Sequence, residues 1–148
     1  MSTVEISILN KVRDLARIPA LVAQFAAAHH LSPDVEFGID VALDEMLSNI
    51  IKYGYTDEAI HEINVRLSVS GPTVVVEIED DGQPFDPRDA PVPDIDAPLE
   101  ERPLGGLGIH IVRSLMVELD YTRVAGRNRL VMKMLLRSAK EKRANGVA

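Results

Sequence analysis

The chain has no cysteine and no tryptophan, and only three tyrosines and three phenylalanines among 148 residues. Without thiols neither a disulfide framework nor a thiolate zinc site can form, and the four histidines are not spaced as metal-ligand pairs. A reducing compartment, the cytoplasm, is the natural expectation. No apolar run approaches the roughly 18 residues needed to cross a bilayer, and Met1-Ser2-Thr3-Val4-Glu5 lacks the basic start of a secretory leader. Positive charge is scarce too: 16 Lys and Arg against 23 Asp and Glu give a net charge of −7, which disfavours nonspecific contact with nucleic acid or anionic membrane. The expected partner is a protein or a small ligand.

What is present reads as one domain over residues 1–137, followed by a charged tail over 138–148. Val4 to Ile8 alternates apolar and polar residues as a strand does, and Ile18, Leu21, Val22 and Phe25 recur at helical spacing behind Pro19. Ser32-Pro33-Asp34 combines an N-cap residue, a first-turn proline and an acid that suits the helix dipole, so a second helix is predicted over Pro33–Tyr53. Two alternating runs separated by Gly71-Pro72 predict neighbouring antiparallel strands. Residues 83–104 hold six of the nine prolines and six acids, which suits neither helix nor strand, and so long a loop in a compact domain is usually functional. A third helix opens at Gly105-Gly106-Leu107-Gly108, and strands near 119–124 and 129–136 close the domain.

Three motifs carry chemistry. Glu45 and Asn49 lie four apart on the second helix, on one stripe with Lys52 a turn further on. A carboxylate and a carboxamide oxygen so placed can share a Mg²⁺ ion and its waters, and an ordinary polar helix face is the plainer alternative. Asp80 shares strand parity with Val74, Val76 and Ile78, so its carboxylate turns towards the face those residues bury and needs a donor there. The exocyclic amine of adenine is such a donor. Asp81 has the opposite parity and, with Gly82, can simply make the turn. Gly105-Gly106-Leu107-Gly108 at a helix start offers unpaired N–H groups to a phosphate, or serves only as a flexible helix entry. No Gly-Lys-Ser/Thr follows these glycines, which argues against a Walker loop, and they follow a loop rather than a strand, which argues against a dinucleotide fingerprint. His110 and the pair His29-His30 read as packed or solvated.

Taken together, Glu45-x-x-x-Asn49 on a helix, Asp80-x-Gly82 at a strand end, a long loop and Gly106-x-Gly108 at a helix start resemble the N, G1 and G2 boxes of the Bergerat-fold ATPases. That superfamily includes gyrase, the histidine kinases and the mismatch-repair MutL proteins. Asp44-Glu45-Met46-Leu47-Ser48-Asn49 and Gly105 to Met116 are most similar to the stand-alone anti-sigma-factor serine kinases. The resemblance implies an α/β (α+β) two-layer sandwich, a mixed, mostly antiparallel sheet covered by helices on one face, with an ATP lid over about 83–105. It implies that Asn49 holds Mg²⁺, that Glu45 is the general base, that Asp80 with Gly82 reads adenine, and that Gly105, Gly106, Leu107 and Gly108 meet phosphate. Lys52 belongs with the nucleotide-binding set, and Arg102 stands near an arginine that contacts the terminal phosphate in some of these kinases. The implied function is an ATP-dependent serine-protein kinase and anti-sigma factor. Its partners would be a STAS-type anti-anti-sigma antagonist and a sigma factor, and it would act as a homodimer. A non-catalytic, nucleotide-gated binding regulator is the alternative. The chain departs from the pattern at Pro84, where many members have a glycine, and at Gly126-Arg127-Asn128, where a glycine-threonine element is usual.

Overall fold

The computed structural model describes residues 3–89 and 106–136. Most of the expected lid, with Arg102 and Gly105, and the tail over 138–148 lie outside the described residues. Five strands, β1 (Val4–Leu9), β2 (Glu62–Ser70), β3 (Thr73–Asp80), β4 (Glu118–Val124) and β5 (Arg127–Leu135), form one sheet in the order β1-β2-β3-β5-β4. Among the described residues, helices α1 (Ile18–His29), α2 (Pro33–Tyr53) and α3 (Gly106–Leu115) accompany the sheet, with 3-10 turns at Val12–Arg17 and Pro87–Asp89.

Every strand pairing among the described residues is antiparallel, in keeping with the mostly antiparallel sheet expected, and no parallel ladder is seen among them. The passage through α3 does bring β4 back parallel to β3, but β5 folds inward between them. The parallel component is therefore a direction without a ladder. The β4–β5 turn that makes this possible has Ala125 at φ 52° and Gly126 at φ 78°, the pair of positive angles that matches the twist of a two-residue hairpin.

Helix α2 begins as its sequence requires. The Ser32 side chain accepts from the Val35 N–H at 3.3 Å, Pro33 occupies the first turn, and Asp34 and Glu36 face the positive end of the dipole. Its apolar stripe, Val35, Ile39, Ala42, Leu43, Met46 and Leu47, is buried against Ile63, Val65, Val76, Ile78 and Met132 of the sheet. Val22 and Phe25 of α1 and Ile109 and Val112 of α3 join the same core. Truncating a side chain such as Leu43 here would cost about 2–5 kcal/mol. The other face of the sheet carries Arg129 bound to Glu77, and Lys133 bound to Glu118 at 2.9 Å. With helices on one face only, the ends of β3 and β5 and the C-terminal half of α2 are left to line a cavity. No helix among the described residues is long and apolar enough to cross a membrane.

Candidate functional site

A cavity of about 210 Å³ opens between α2 and the ends of β3 and β5, with Met46, Ile50 and Leu130 among its apolar walls and Asn49, Asp80 and Asn128 among its polar ones. Its two ends differ in construction.

At one end Asp80, only 4% exposed, stands where its strand parity with Val74, Val76 and Ile78 places it. Its Oδ1 accepts from the Gly82 N–H at 2.8 Å and from Asn128 Nδ2 at 2.9 Å, and both bonds fall on that one oxygen. Burial pushes the Asp80 carboxyl above the usual carboxylate range, opposed by the bonds from Asn128 and Gly82, with Asp81 raising it further and Arg123 lowering it. Gly82 cannot be replaced cheaply: a Cβ there would lie 2.6 Å from the Gly54 carbonyl oxygen. That close approach lets the Gln83 N–H donate to the same carbonyl at 2.7 Å, tying the turn after β3 to the end of α2.

Asn128 organises this end, and the motif reading did not single it out. It is the register partner of Asp80 across β3 and β5, and it is 5% exposed. Its Nδ2 also donates to the carbonyls of Gln83 at 2.9 Å and Gly82 at 3.3 Å, and its Oδ1 accepts from Arg123 Nη1 at 2.8 Å and from the Tyr121 hydroxyl. The signal was available in the sequence. Asn128 shares parity with the inward Leu130, Met132 and Met134, so a lone carboxamide at that position has to find partners.

Asp81, one residue from Asp80, turns outward. Its carboxylate takes His61 Nδ1 at 3.1 Å, while His61 Nε2 meets Asp57 at 2.8 Å and the ring stacks on Tyr55. Both ring nitrogens thus face carboxylates, and the imidazole is held above its ordinary pKa chiefly by Asp57 and then by Asp81.

At the other end, Asn49 lines the cavity, and its Nδ2 donates at 3.3 Å to Oε1 of Glu45, which lies beside the cavity rather than in its wall. The first turn of α3 packs directly on that carboxylate: a Cβ on Gly108 would lie 2.2 Å from Glu45 Cδ. Glycine here lets the helix N-terminus approach the acid, and the dipole at that end favours negative charge. Lys52 is exposed and is not among the residues lining the cavity. Gly106 opens α3, and Leu107 follows in its first turn.

Residues 8–134 match the family model described as a histidine kinase-like ATPase domain. The chain is 30% identical over 101 residues to the serine/threonine-protein kinase BtrW of Bordetella bronchiseptica, covering 68% of this chain and 71% of that one. It is 26% identical over 129 residues to the anti-sigma F factor of a Thermoanaerobacter species, covering 86% and 88%. To the serine-protein kinase RsbW of Bacillus cereus it is 24% identical over 149 residues, covering 98% and 92%. The fold is that of a solved structure of the RsbU and RsbW domains of Rv1364c from Mycobacterium tuberculosis, at TM-score 0.66 and 15% identity. That match covers 91% of this chain and 32% of the solved one. With a family model spanning nearly the whole of the core and both ends of the cavity, this chain belongs to the family of histidine kinase-like ATPase domains.

Proposed function

We propose that the chain is an ATP-dependent serine-protein kinase and anti-sigma factor, passing the γ-phosphoryl group of ATP to a serine on a STAS-type antagonist. The observation that carries the reading is a cavity lined by Asp80, a buried, hydrogen-bonded carboxylate, and by Asn49, whose amide bonds to Glu45 beside it, with the first turn of α3 packed on that second carboxylate. Asp80 has both observed bonds on Oδ1, so Oδ2 is the acceptor offered to the adenine amine. The Asn49 amide nitrogen is turned to Glu45, which leaves its oxygen, the atom a hard cation prefers, for Mg²⁺. When bound, that ion neutralises phosphate charge.

The chain's own residues do the remaining work. Backbone N–H groups at the start of α3, from Gly106 to Gly108 with Gly105 ahead of them, orient the phosphates. Glu45 accepts the proton of the serine hydroxyl as its oxygen bonds to the γ-phosphorus and ADP departs, and Arg102 and Lys52 add positive charge near the phosphates. In this reading residues 1–137 are one catalytic domain working as a cytoplasmic homodimer, with 83–105 as its lid. Phosphorylation adds about −1.5 to −2 charge to the antagonist. Repulsion from an acidic kinase would then release it and free the surface for a sigma factor.

Incubation with radiolabelled ATP and such an antagonist should label its serine, and a serine-to-alanine antagonist should stay unlabelled. ATP-dependent antagonist binding without label would instead leave a regulator that uses nucleotide only as a gate.

A further inference from the structure

Helix α2 carries three stripes. One enters the core, and a second carries Asn49, which lines the nucleotide cavity, and Glu45 beside it. The third, Phe37, Asp40, Val41 and Asp44, has the i, i+3, i+4, i+7 spacing of a single helix face and belongs to neither. It forms one wall of a groove of about 370 Å³, chiefly apolar, whose other wall includes Leu15 of the 3-10 turn and Ile18 at the start of α1.

Of two features of this groove, one leaves apolar surface open to a partner and the other works against the stability of the isolated chain. Phe37 is 68% exposed, and Asp40 Oδ1 is shielded from solvent yet accepts no hydrogen bond from the described residues. Burial first, and the like charge of Glu36 second, hold the Asp40 carboxyl above its ordinary range. A half-buried carboxylate with only a like charge acting on it opposes folding, and a counter-charge from outside would relieve it. Side chains that oppose stability in this way mark places where something else is recognised.

We propose that this groove receives an arginine side chain from a partner protein. The aliphatic stem lies along Phe37, Val41 and Leu15, and the guanidinium reaches Asp40 with Asp44 one turn on at the rim. Arginine fits because its planar fork donates to more than one carboxylate and is weakly hydrated, so it enters apolar surroundings more readily than an ammonium group. A free metal ion would leave the apolar walls uncovered, whereas a side chain with a stem covers them. The groove and the nucleotide cavity share no lining residue. The groove's place in the fold matters all the same: Asp44 adjoins Glu45, so a protein seated here lies one helix face away from the nucleotide cavity.

The test uses the full-length ¹⁵N-labelled chain and two synthetic peptides at millimolar concentration, acetyl-Leu-Arg-Leu-amide and its citrulline counterpart, which keeps the shape and loses the charge. The arginine peptide should shift amide resonances of Leu15 to Pro19 and Phe37 to Asp44, and the citrulline peptide should bind roughly tenfold more weakly, as should the arginine peptide to Asp40→Asn. Asp40→Asn should also raise the thermal midpoint at pH 7 by about 2 °C, because it removes an uncompensated charge. ATP affinity, read by calorimetry, should stay at the wild-type value and shows that the variant is folded. Equal binding of both peptides, no shifts in the groove, or a lowered midpoint in Asp40→Asn would each overturn the proposal. Concentration-dependent dimerisation that Asp40→Asn abolishes, without peptide binding, would overturn it in favour of a second copy of the chain.

Discussion

At the end of the cavity built on Asp80, the polar groups are already engaged. Asn128, on β5, gathers bonds with β3, β4 and the turn at Gly82 and Gln83 onto one carboxamide. At the Glu45 end, the bond between Glu45 and Asn49 is long, and a side chain on Gly108 would collide with the carboxylate. The first arrangement suits recognition, which gains when donors and acceptors are fixed before the ligand arrives. The second suits a reaction, in which a carboxylate must give up one hydrogen-bonded arrangement to accept a proton. If the division is real, substitutions at the two ends separate binding from transfer.

The largest separation is expected at Glu45. Glu45→Gln should lower the rate of phosphoryl transfer by roughly 10²–10⁴-fold, the range for a general base, and leave ATP affinity unchanged. Asn49→Ala should remove Mg²⁺-dependent ATP binding instead. Single-turnover transfer rates set beside calorimetry distinguish the two, and transfer at the wild-type rate by Glu45→Gln would take Glu45 out of the chemistry.

Gly108→Ala tests the same end through packing. The new Cβ would lie 2.2 Å from Glu45 Cδ and 2.3 Å from Oε2, so either the carboxylate or α3 must move, at about 1–3 kcal/mol for an overpacked site. Transfer should fall sharply, while affinity for adenosine, which reaches only the Asp80 end, should hold. A Gly108→Ala enzyme with full transfer activity would mean that Glu45 is mobile enough to be elsewhere during the reaction.

A smaller effect is expected at the recognition end. Asn128→Ala removes a bond that opposes the upward pull of burial on Asp80, so the carboxyl should titrate at higher pH and ATP affinity should fall by about 1–3 kcal/mol near neutrality. Binding that needs the ionised form should recover as pH rises, more steeply than in the wild type. For stability the sign is opposite. A carboxyl raised above its ordinary 3.8 stabilises the fold below that value and loses the contribution as pH rises through the raised one. Asp80→Asn should therefore weaken ATP binding and raise the thermal midpoint at neutral pH.

The same contrast explains what the sequence made legible. Cap residues at Ser32-Pro33 and alternation in β2 and β3 are local signals, and the elements follow them closely. The parity argument placed the Asp80 side chain inward because a strand has a period of two whatever its neighbours. The direction of pairing between β3 and β5 was not local: it depends on the β4–β5 hairpin folding inward, which no stretch of either strand encodes. Asn128 was half legible. Its inward parity could be read, but its pairing with Asp80 follows from a register across 48 residues. The third stripe of α2 was legible as spacing, yet the exposure of Phe37 and the unpartnered Asp40 oxygen emerge only once α1 and the core are in place.

The smallest expected effect concerns the neighbour that turned the other way. His61 meets Asp81 with one ring nitrogen and Asp57 with the other, and an imidazole donates to two carboxylates only when both nitrogens carry protons. Its pKa is raised, so its contribution to stability is complete below the ordinary value of 6.5 and is lost as pH rises through the raised one. Asp57 is lowered by the same bond, so its contribution is present above 3.8 and is lost as pH falls. The difference in thermal midpoint between the wild type and His61→Ala should thus be largest between the two ordinary values, 3.8 and 6.5, and shrink as pH rises through the raised value of His61. ATP affinity should not follow that profile, because Asp80 is held from β5 by Asn128 rather than from outside by Asp81. Should affinity fall with the same midpoint as the clamp, the recognition end is not self-sufficient, and the outward carboxylate is part of how the inward one is set.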